Sequence, residues 1–211
     1  MVFSGRERRG GRGAGGAATL LVGCQTQPAS TGSGHEGHGA TASAPAATGS
    51  MSASFNDADV AFAQGMLPHH AQAVEMADIV LAKPGLDGRV DELATEIKAA
   101  QQPEIDTIAS WLAAWGAPVM ADHASMGHGA DGEGMPGMLT PADLDALRAA
   151  DAGAASRSFL EQMIAHHEGA ISMAQTEVAT GANQDAVAMA QAIVTSQSAE
   201  NDRMRELLAT L

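Results

Sequence analysis

One sequence pattern occurs twice in this chain, over residues 62–77 and again, 97 positions later, over residues 159–174. Each copy is centred on two adjacent histidines, with methionines before and after them at the same spacings. On a helix the phenylalanine, methionine and histidine positions of each copy fall within about 120° of one another. The pattern therefore predicts two long helices that direct histidine and thioether side chains toward a core.

The composition and a second repeat predict an all-α fold. Aromatic residues are scarce, with four Phe, two Trp and no Tyr, whereas Ala, Leu and Met are abundant, which favours helices over strands. A second pattern repeats at an offset of 96: Ala94, Ile97, Gln101, Glu104, Ile108 and Leu112 correspond to Ala190, Ile193, Gln197, Glu200, Met204 and Leu208. Each histidine helix is thus followed by a partner helix, and the duplicated helical hairpin predicts a four-helix bundle.

Capping and helix-breaking residues predict where these helices begin and end. A Thr-Pro-Ala-Asp start predicts a further short helix, and Gly153 is expected to separate it from the third long helix. The 23-residue connection between the hairpins is long enough to recross the bundle, as in a ferritin-like crossover, and the sequence does not exclude an up-down-up-down order. The expected segments are long helices near 56–85, 87–115, 154–180 and 183–209, a short helix at 140–150, hairpin 1 at 55–116, a Met/His/Gly-rich loop at 117–139 and hairpin 2 at 140–211.

The N-terminal residues have the composition of an export signal. Four arginines precede a short apolar run that ends in Leu21-Val22-Gly23-Cys24, similar to a bacterial lipobox. Cys24 is the only cysteine of the chain, so it forms no internal disulfide and suits a lipid anchor. We therefore predict a signal peptide at 1–23, a disordered lipid-anchored tether at 24–54, and an exported domain facing the periplasm or the extracellular side. The alternative is a chance match in a glycine-rich leader.

The charge of the chain makes nucleic acid an unsuitable partner. Removal of residues 1–23 leaves seven basic and 24 acidic residues, a net charge of −17. Such a chain lacks the cationic surface on which phosphate binding depends. An acidic exterior either concentrates cations or simply keeps the domain soluble.

The histidine repeats carry the candidate metal ligands. Met66-x2-His69 and Met163-x2-His166 have the i, i+3 spacing that di-iron bundles fill with glutamate and histidine, and methionine replaces the carboxylate. Thioether and imidazole donors suit Cu(I), with Ag(I) as a mimic, better than iron, calcium or magnesium. The candidate ligands are Met66, His69, His70, Met76, Met163, His166, His167 and Met173. The alternative is a metal-free core in which methionine fills gaps and histidine is buried and neutral.

Two further groups of residues extend this hypothesis. Glu104 and Glu200 either hydrogen-bond the imidazoles from outside the ligand set, complete a dinuclear carboxylate site, or face water. Loop residues rich in methionine and histidine either collect soft metal ions loosely or serve as a linker. These loop candidates are Met120, His123, Met126, His128, Met135 and Met138.

The stretches 66–77 and 163–174 resemble the bacterial family known as domain of unknown function 305. That family has an Ile/Leu-Pro/Ala-His-His-x2-Ala-Ile/Val-x-Met-Ala core, and the resemblance extends over about residues 55–211, including the Met-Pro-Gly-Met run at 135–138. It implies a ferritin-like four-helix bundle in exported proteins, some of them linked to copper binding or tolerance. The second motif of this chain has no proline, because Ala165 occupies the position that Pro68 has in the first motif.

Three functional hypotheses follow from these observations. The first is a lipid-anchored extracytoplasmic protein that binds copper for sequestration, transfer or tolerance, with a copper-handling protein as partner. The second is a ferritin-like di-metal oxidase that uses the histidines with Glu104 and Glu200, although neither histidine pair follows a glutamate at the usual spacing. The third is a metal-free interaction module of the cell envelope.

Overall fold

The structure is a computed structural model that describes residues 54–119 and 135–211. It contains only helices within these residues, which confirms the all-α prediction. The signal peptide, Cys24, nearly all of the tether and four loop candidates (Met120, His123, Met126 and His128) lie outside the described residues. The helices are α1 (Asp57–Leu81), α2 (Gly88–Trp115), α3 (Pro141–Ala149), α4 (Ala152–Thr180) and α5 (Gln184–Leu208).

Helix ends follow local capping chemistry. Asn56 caps α1, and Thr140 caps α3, each in a reciprocal arrangement with an aspartate three residues later. The prediction for Gly153 is wrong: this glycine lies inside the first turn of α4. The break lies at residues 150–151, because Ala150 is extended and the Asp151 side chain accepts a hydrogen bond from the Ala154 amide at 2.8 Å. This cap starts the new helix before Gly153.

The hairpins α1–α2 and α4–α5 pack together through α1 and α4. These two helices are antiparallel, because the Asn56 side chain at the start of α1 donates a hydrogen bond to the Thr180 carbonyl at the end of α4 (2.9 Å). Helices α2 and α4 therefore run in the same direction, and the connection between them recrosses the bundle. The order is up-down-down-up, the long-crossover alternative of the two that the sequence allowed.

The bundle interior consists of two apolar clusters separated by a polar layer. One cluster lies at the end covered by α3 and the other at the opposite end. In each long helix the chain passes from one cluster through buried polar residues into the other cluster. The polar layer contains His69, His70, Gln101, Glu104, His166, His167, Gln197, Glu200 and Asn201.

A carboxyl pair lies at the end of the bundle opposite α3. Asp59 is fully buried and accepts hydrogen bonds from the backbone amides of Ala182 and Asn183, the latter at 2.9 Å. Burial opposes its charge, but these bonds outweigh the effect and lower the pKa of Asp59. Burial, together with the neighbouring Asp59, raises the pKa of Glu177 to about 8. Glu177 is therefore largely protonated at neutral pH.

None of the helices in the described ranges combines the length and the apolar character that crossing a membrane requires.

Candidate metal centre

The centre of the polar layer is a pair of histidines from the two antiparallel helices. The His69 ring on α1 lies against the His166 ring on α4, with ring centroids 3.7 Å apart and an interplanar angle of 40°. Both side chains are buried. Each histidine is near the middle of its helix, so the antiparallel packing brings them to the same height.

A histidine–glutamate pair lies in each hairpin. His70 Nε2 on α1 is 2.7 Å from Glu104 Oε2 on α2, and His167 Nε2 on α4 is 2.7 Å from Glu200 Oε2 on α5. Both histidines are buried, whereas the glutamate side chains are 25 % and 23 % exposed. The duplicated sequence is thus matched by duplicated geometry, and Glu104 and Glu200 face the imidazoles rather than bulk water.

Part of the crossover covers the histidine layer. Residues 135–138 form a turn in which the Met138 amide donates to the Met135 carbonyl at 3.1 Å. Pro136 at the second position and Gly137 at the third, with φ +81°, fit a type II turn. We call this segment the Met-Pro-Gly-Met turn.

Two glycines bring the Met-Pro-Gly-Met turn into contact with α4. A Cβ on Gly169 would lie 2.0 Å from the Pro136 carbonyl oxygen, and a Cβ on Gly137 would lie 2.5 Å from the Ala165 carbonyl oxygen. Neither position has room for a side chain. This close approach places the Pro136 carbonyl oxygen 3.3 Å from His69 Nε2.

Gln72 fastens the other end of the same segment to α1. Its amide nitrogen donates to the Leu139 carbonyl at 3.0 Å, and its amide oxygen accepts from the Leu139 amide at 2.7 Å. One buried side chain therefore satisfies both main-chain groups of a crossover residue, one turn beyond His69.

The methionines flank the histidine layer in pairs drawn from both hairpins. Met66 of α1 and Met173 of α4 belong to the cluster at one end, whereas Met76 of α1 and Met163 of α4 belong to the cluster under α3. Met173 is partly buried, and the other three are fully buried. Each of the two apolar clusters thus contains one thioether from each copy of the repeat.

The two loop methionines within the described residues are partly buried. The sulfur of Met135 lies 3.9 Å, and that of Met173 3.3 Å, from the place where a Cβ on Gly65 would be. Met135 therefore approaches the same side of the site as Met66 and Met173. Met138 ends the Met-Pro-Gly-Met turn.

The central histidines are held neutral by their surroundings. Burial lowers the pKa of His69 to about 3, with a further contribution from nearby His70. Burial, followed by the neighbouring His69, lowers the pKa of His166 well below its ordinary value. A neutral imidazole carries one lone pair, which is the form that binds a metal ion.

Five buried imidazole nitrogens have no hydrogen-bond partner among the described residues. They are Nδ1 of His69, His70 and His167, and both ring nitrogens of His166. Unpartnered polar atoms in a core are costly, and a metal ion would satisfy them. The donor types present fit a soft metal ion.

Within residues 54–119 and 135–211, histidine, cysteine, aspartate and glutamate alone form no group of three that could hold a metal ion. A metal site at this layer would therefore need donors of another kind alongside imidazole, and methionine sulfur is the soft donor in the adjoining clusters.

Sequence reasoning identified the histidines, the methionines and the two glutamates of this layer, and their role as ligands stays a prediction. It missed Gln72, Gly169 and the Pro136 carbonyl, which position the crossover. One signal was present: Gly169 is a glycine in the middle of a strong helical pattern, which often marks a close backbone approach.

Comparisons with known proteins find solved structures with a similar fold. A DUF305 protein from Streptomyces coelicolor, described as secreted, is 34 % identical, with a TM-score of 0.64 over 72 % of this chain and 91 % of its own. A DUF305 fragment from Deinococcus radiodurans is 30 % identical, with a TM-score of 0.63 over 74 % of this chain and 98 % of its own. CopM in its Cu(I)-bound form is 29 % identical, with a TM-score of 0.58 over 72 % of this chain and 96 % of its own.

A search of curated proteins finds no match. The family model of the domain of unknown function DUF305 matches residues 59–208, and this chain therefore belongs to the DUF305 family.

Proposed function

We propose that this protein binds copper, as Cu(I), at the polar layer of its bundle. The observation that carries the proposal is the set of buried imidazole nitrogens without partners, flanked on both sides by buried thioethers. Such a donor set is soft to borderline and favours Cu(I) or Ag(I) over hard cations. The similarity to CopM, known in Cu(I)-, Cu(II)- and Ag-bound forms, supports the same metal.

The ligands would come from His69, His70, His166 and His167 together with Met66, Met76, Met163 and Met173. Copper would contribute strong bonds to nitrogen and sulfur when bound. The chain contributes the rest: it excludes water from the layer, holds the central imidazoles neutral, and brings thioethers from two helices to each side. Glu104 and Glu200 would hold the imidazole rings of His70 and His167 in place through hydrogen bonds to Nε2.

The biological role would be sequestration, transfer or tolerance of copper outside the cytoplasm. The proposal includes export and a lipid anchor at Cys24, both of which rest on the N-terminal sequence. A membrane-anchored copper binder of this kind would exchange its ion with another copper-handling protein. Loop methionines and histidines, including Met135 and Met138, would capture ions before they reach the bundle.

The test is an anaerobic competition titration of the full-length chain with Cu(I) against a chromophoric chelator. The informative variant is Met66→Leu combined with Met163→Leu, because these substitutions conserve volume and should leave the bundle folded. Met204→Leu is the matched control, since Met204 is an equally buried methionine outside the two histidine repeats. We expect the double variant to lose at least tenfold in affinity and the control to be unchanged.

Replacing all four histidines of the layer with alanine should abolish tight binding. Unchanged affinity in that variant, with helical content retained by circular dichroism, would overturn the proposal. The same preparations distinguish the oxidase hypothesis, which requires oxygen consumption with Fe(II) or Cu(I) that disappears in Glu104→Gln.

A further inference from the structure

Three of the four layer histidines face an oxygen atom through the same ring nitrogen. Nε2 of His70 and of His167 each lie 2.7 Å from a glutamate oxygen. Nε2 of His69 lies 3.3 Å from the Pro136 carbonyl oxygen. A main-chain carbonyl and an ionised carboxylate can only accept hydrogen bonds, so the nitrogen facing them must carry the proton.

The opposite nitrogen of each of these rings is buried and lacks a partner among the described residues. A proton on that Nδ1 atom would be a buried donor with nothing to accept it, which is costly. Hydrogen bonding at one side of the ring and burial at the other therefore select a single neutral tautomer, with hydrogen on Nε2 and the lone pair on Nδ1.

We propose that Glu104, Glu200 and the Pro136 carbonyl are positioning groups that fix each of His69, His70 and His167 as an Nδ1 donor, so that each binds a soft metal ion, alongside methionine sulfur, through Nδ1. This inference rests on the proposed function and adds the identity of the ligating atom. The positioning groups do not touch the ion. They determine which ring nitrogen has the free lone pair, and their hydrogen bonds hold the ring in one orientation.

His166 is the exception in the layer. Neither of its nitrogens has a partner among the described residues, although its ring lies against that of His69. The Met-Pro-Gly-Met turn supplies a carbonyl to His69, and the structure shows no such oxygen at His166 within the described ranges. His166 can therefore offer either nitrogen, and it is the imidazole with the most freedom to change its bond to an ion.

The first test needs no metal. Long-range ¹H–¹⁵N spectra of the full-length, ¹⁵N-labelled apo protein report the tautomer of each ring, with signals assigned from single His→Gln variants. We expect the Nε2–H tautomer at His69, His70 and His167. The Nδ1–H tautomer at His70 or His167 would overturn the proposal.

The second test adds Ag(I) to the same sample. The Nδ1 signals of the three histidines should shift while their Nε2–H signals persist, whereas loss of Nε2–H would overturn the assignment. If the apo tautomers are as expected and Ag(I) moves no ring signal, the proposed metal function fails while the tautomer assignment stands. The two failures are therefore distinguishable.

Variants of Glu104 separate positioning from a purely structural role. Glu104→Leu removes the acceptor and should release His70 into a mixture of tautomers, with about 10–100-fold weaker Ag(I) binding. Glu104→Gln retains an acceptor oxygen and should keep the tautomer. Glu168→Ala is the control, because Glu168 follows His167 in sequence but pairs with Arg205 on the surface. A His70 tautomer unchanged in Glu104→Leu would contradict the positioning role.

Discussion

Replacing Gly169 with alanine tests whether the Met-Pro-Gly-Met turn is a fixed part of the bundle. The added Cβ would lie 2.0 Å from the Pro136 oxygen, 2.6 Å from the Pro136 carbonyl carbon and 3.1 Å from the Gly137 nitrogen. These neighbours are main-chain atoms, so they cannot move aside by a change of rotamer. The turn must lift from α4 by about 1 Å or more to reach ordinary contact distances.

The cost follows from the contacts that such a shift weakens. The two hydrogen bonds between Gln72 and Leu139, and the bond from His69 to Pro136, hold the segment in place. At about 0.5–1.5 kcal/mol each, their loss costs roughly 1.5–4.5 kcal/mol. Alanine at position 169 stabilises α4 by about 1 kcal/mol relative to glycine, because its helix propensity is higher. The expected net destabilisation is therefore about 0.5–3.5 kcal/mol.

The assay is urea unfolding of the full-length chain followed by circular dichroism, with Gly153→Ala as the control in the same helix. A Cβ on Gly153 meets only an Asp151 side-chain oxygen, at 3.6 Å, so that variant should be unchanged or more stable by less than about 1 kcal/mol. The reasoning would be refuted if Gly169→Ala were as stable as Gly153→Ala, since the turn would then not be packed on α4. Weaker Cu(I) binding in Gly169→Ala would further connect the turn to the site.

Three further predictions concern charge and metal. Because the folded-state pKa of Glu177 is raised to about 8, the folded protein holds a proton that the unfolded chain releases near pH 4.5, and stability should fall as pH rises through this window. Urea midpoints measured from pH 5 to 9 should show this fall in stability. Glu177→Gln should remove the fall and be about 2–4 kcal/mol more stable than the unchanged protein at pH 9. An identical pH profile in the variant would contradict the assignment. Arg203→Ala removes exposed ion pairs to α2 and should change the unfolding free energy by less than about 1 kcal/mol, so a larger loss would mean that these surface pairs hold the hairpins together. Ag(I) at about 100 times its dissociation constant should raise the unfolding free energy by about 2.7 kcal/mol, and no change in a thermal melt would argue against binding to the folded state.

The sequence alone determined the local structure of this protein. Helical periodicity placed Met66, His69 and His70 on one face of a helix, because side-chain direction along a helix depends only on residue spacing. Capping residues such as Asn56 and Thr140 predicted helix starts, since a cap requires only neighbouring backbone amides. The 97-residue repeat predicted that the second hairpin would copy the first.

Helix boundaries set by competing local signals were less predictable. Gly153 was expected to end the short helix, yet glycine is tolerated near a helix start, and Asp151 supplied a stronger cap. The adjacent capping residue thus outweighs a weak helix breaker. It shifted one boundary and left the number of helices unchanged.

The tertiary structure alone decided which residues meet. Spacing within α1 could not show that Met66 shares a cluster with Met173 or that the His69 ring lies against the His166 ring. It also could not show that Glu104 and Glu200 face histidines rather than water. These contacts depend on the antiparallel packing of α1 and α4 and on the crossover path, and both direction and path arise from interactions among residues distant in sequence. Periodicity determines which face of a helix is buried, whereas only the packing of the whole bundle determines what that face contacts.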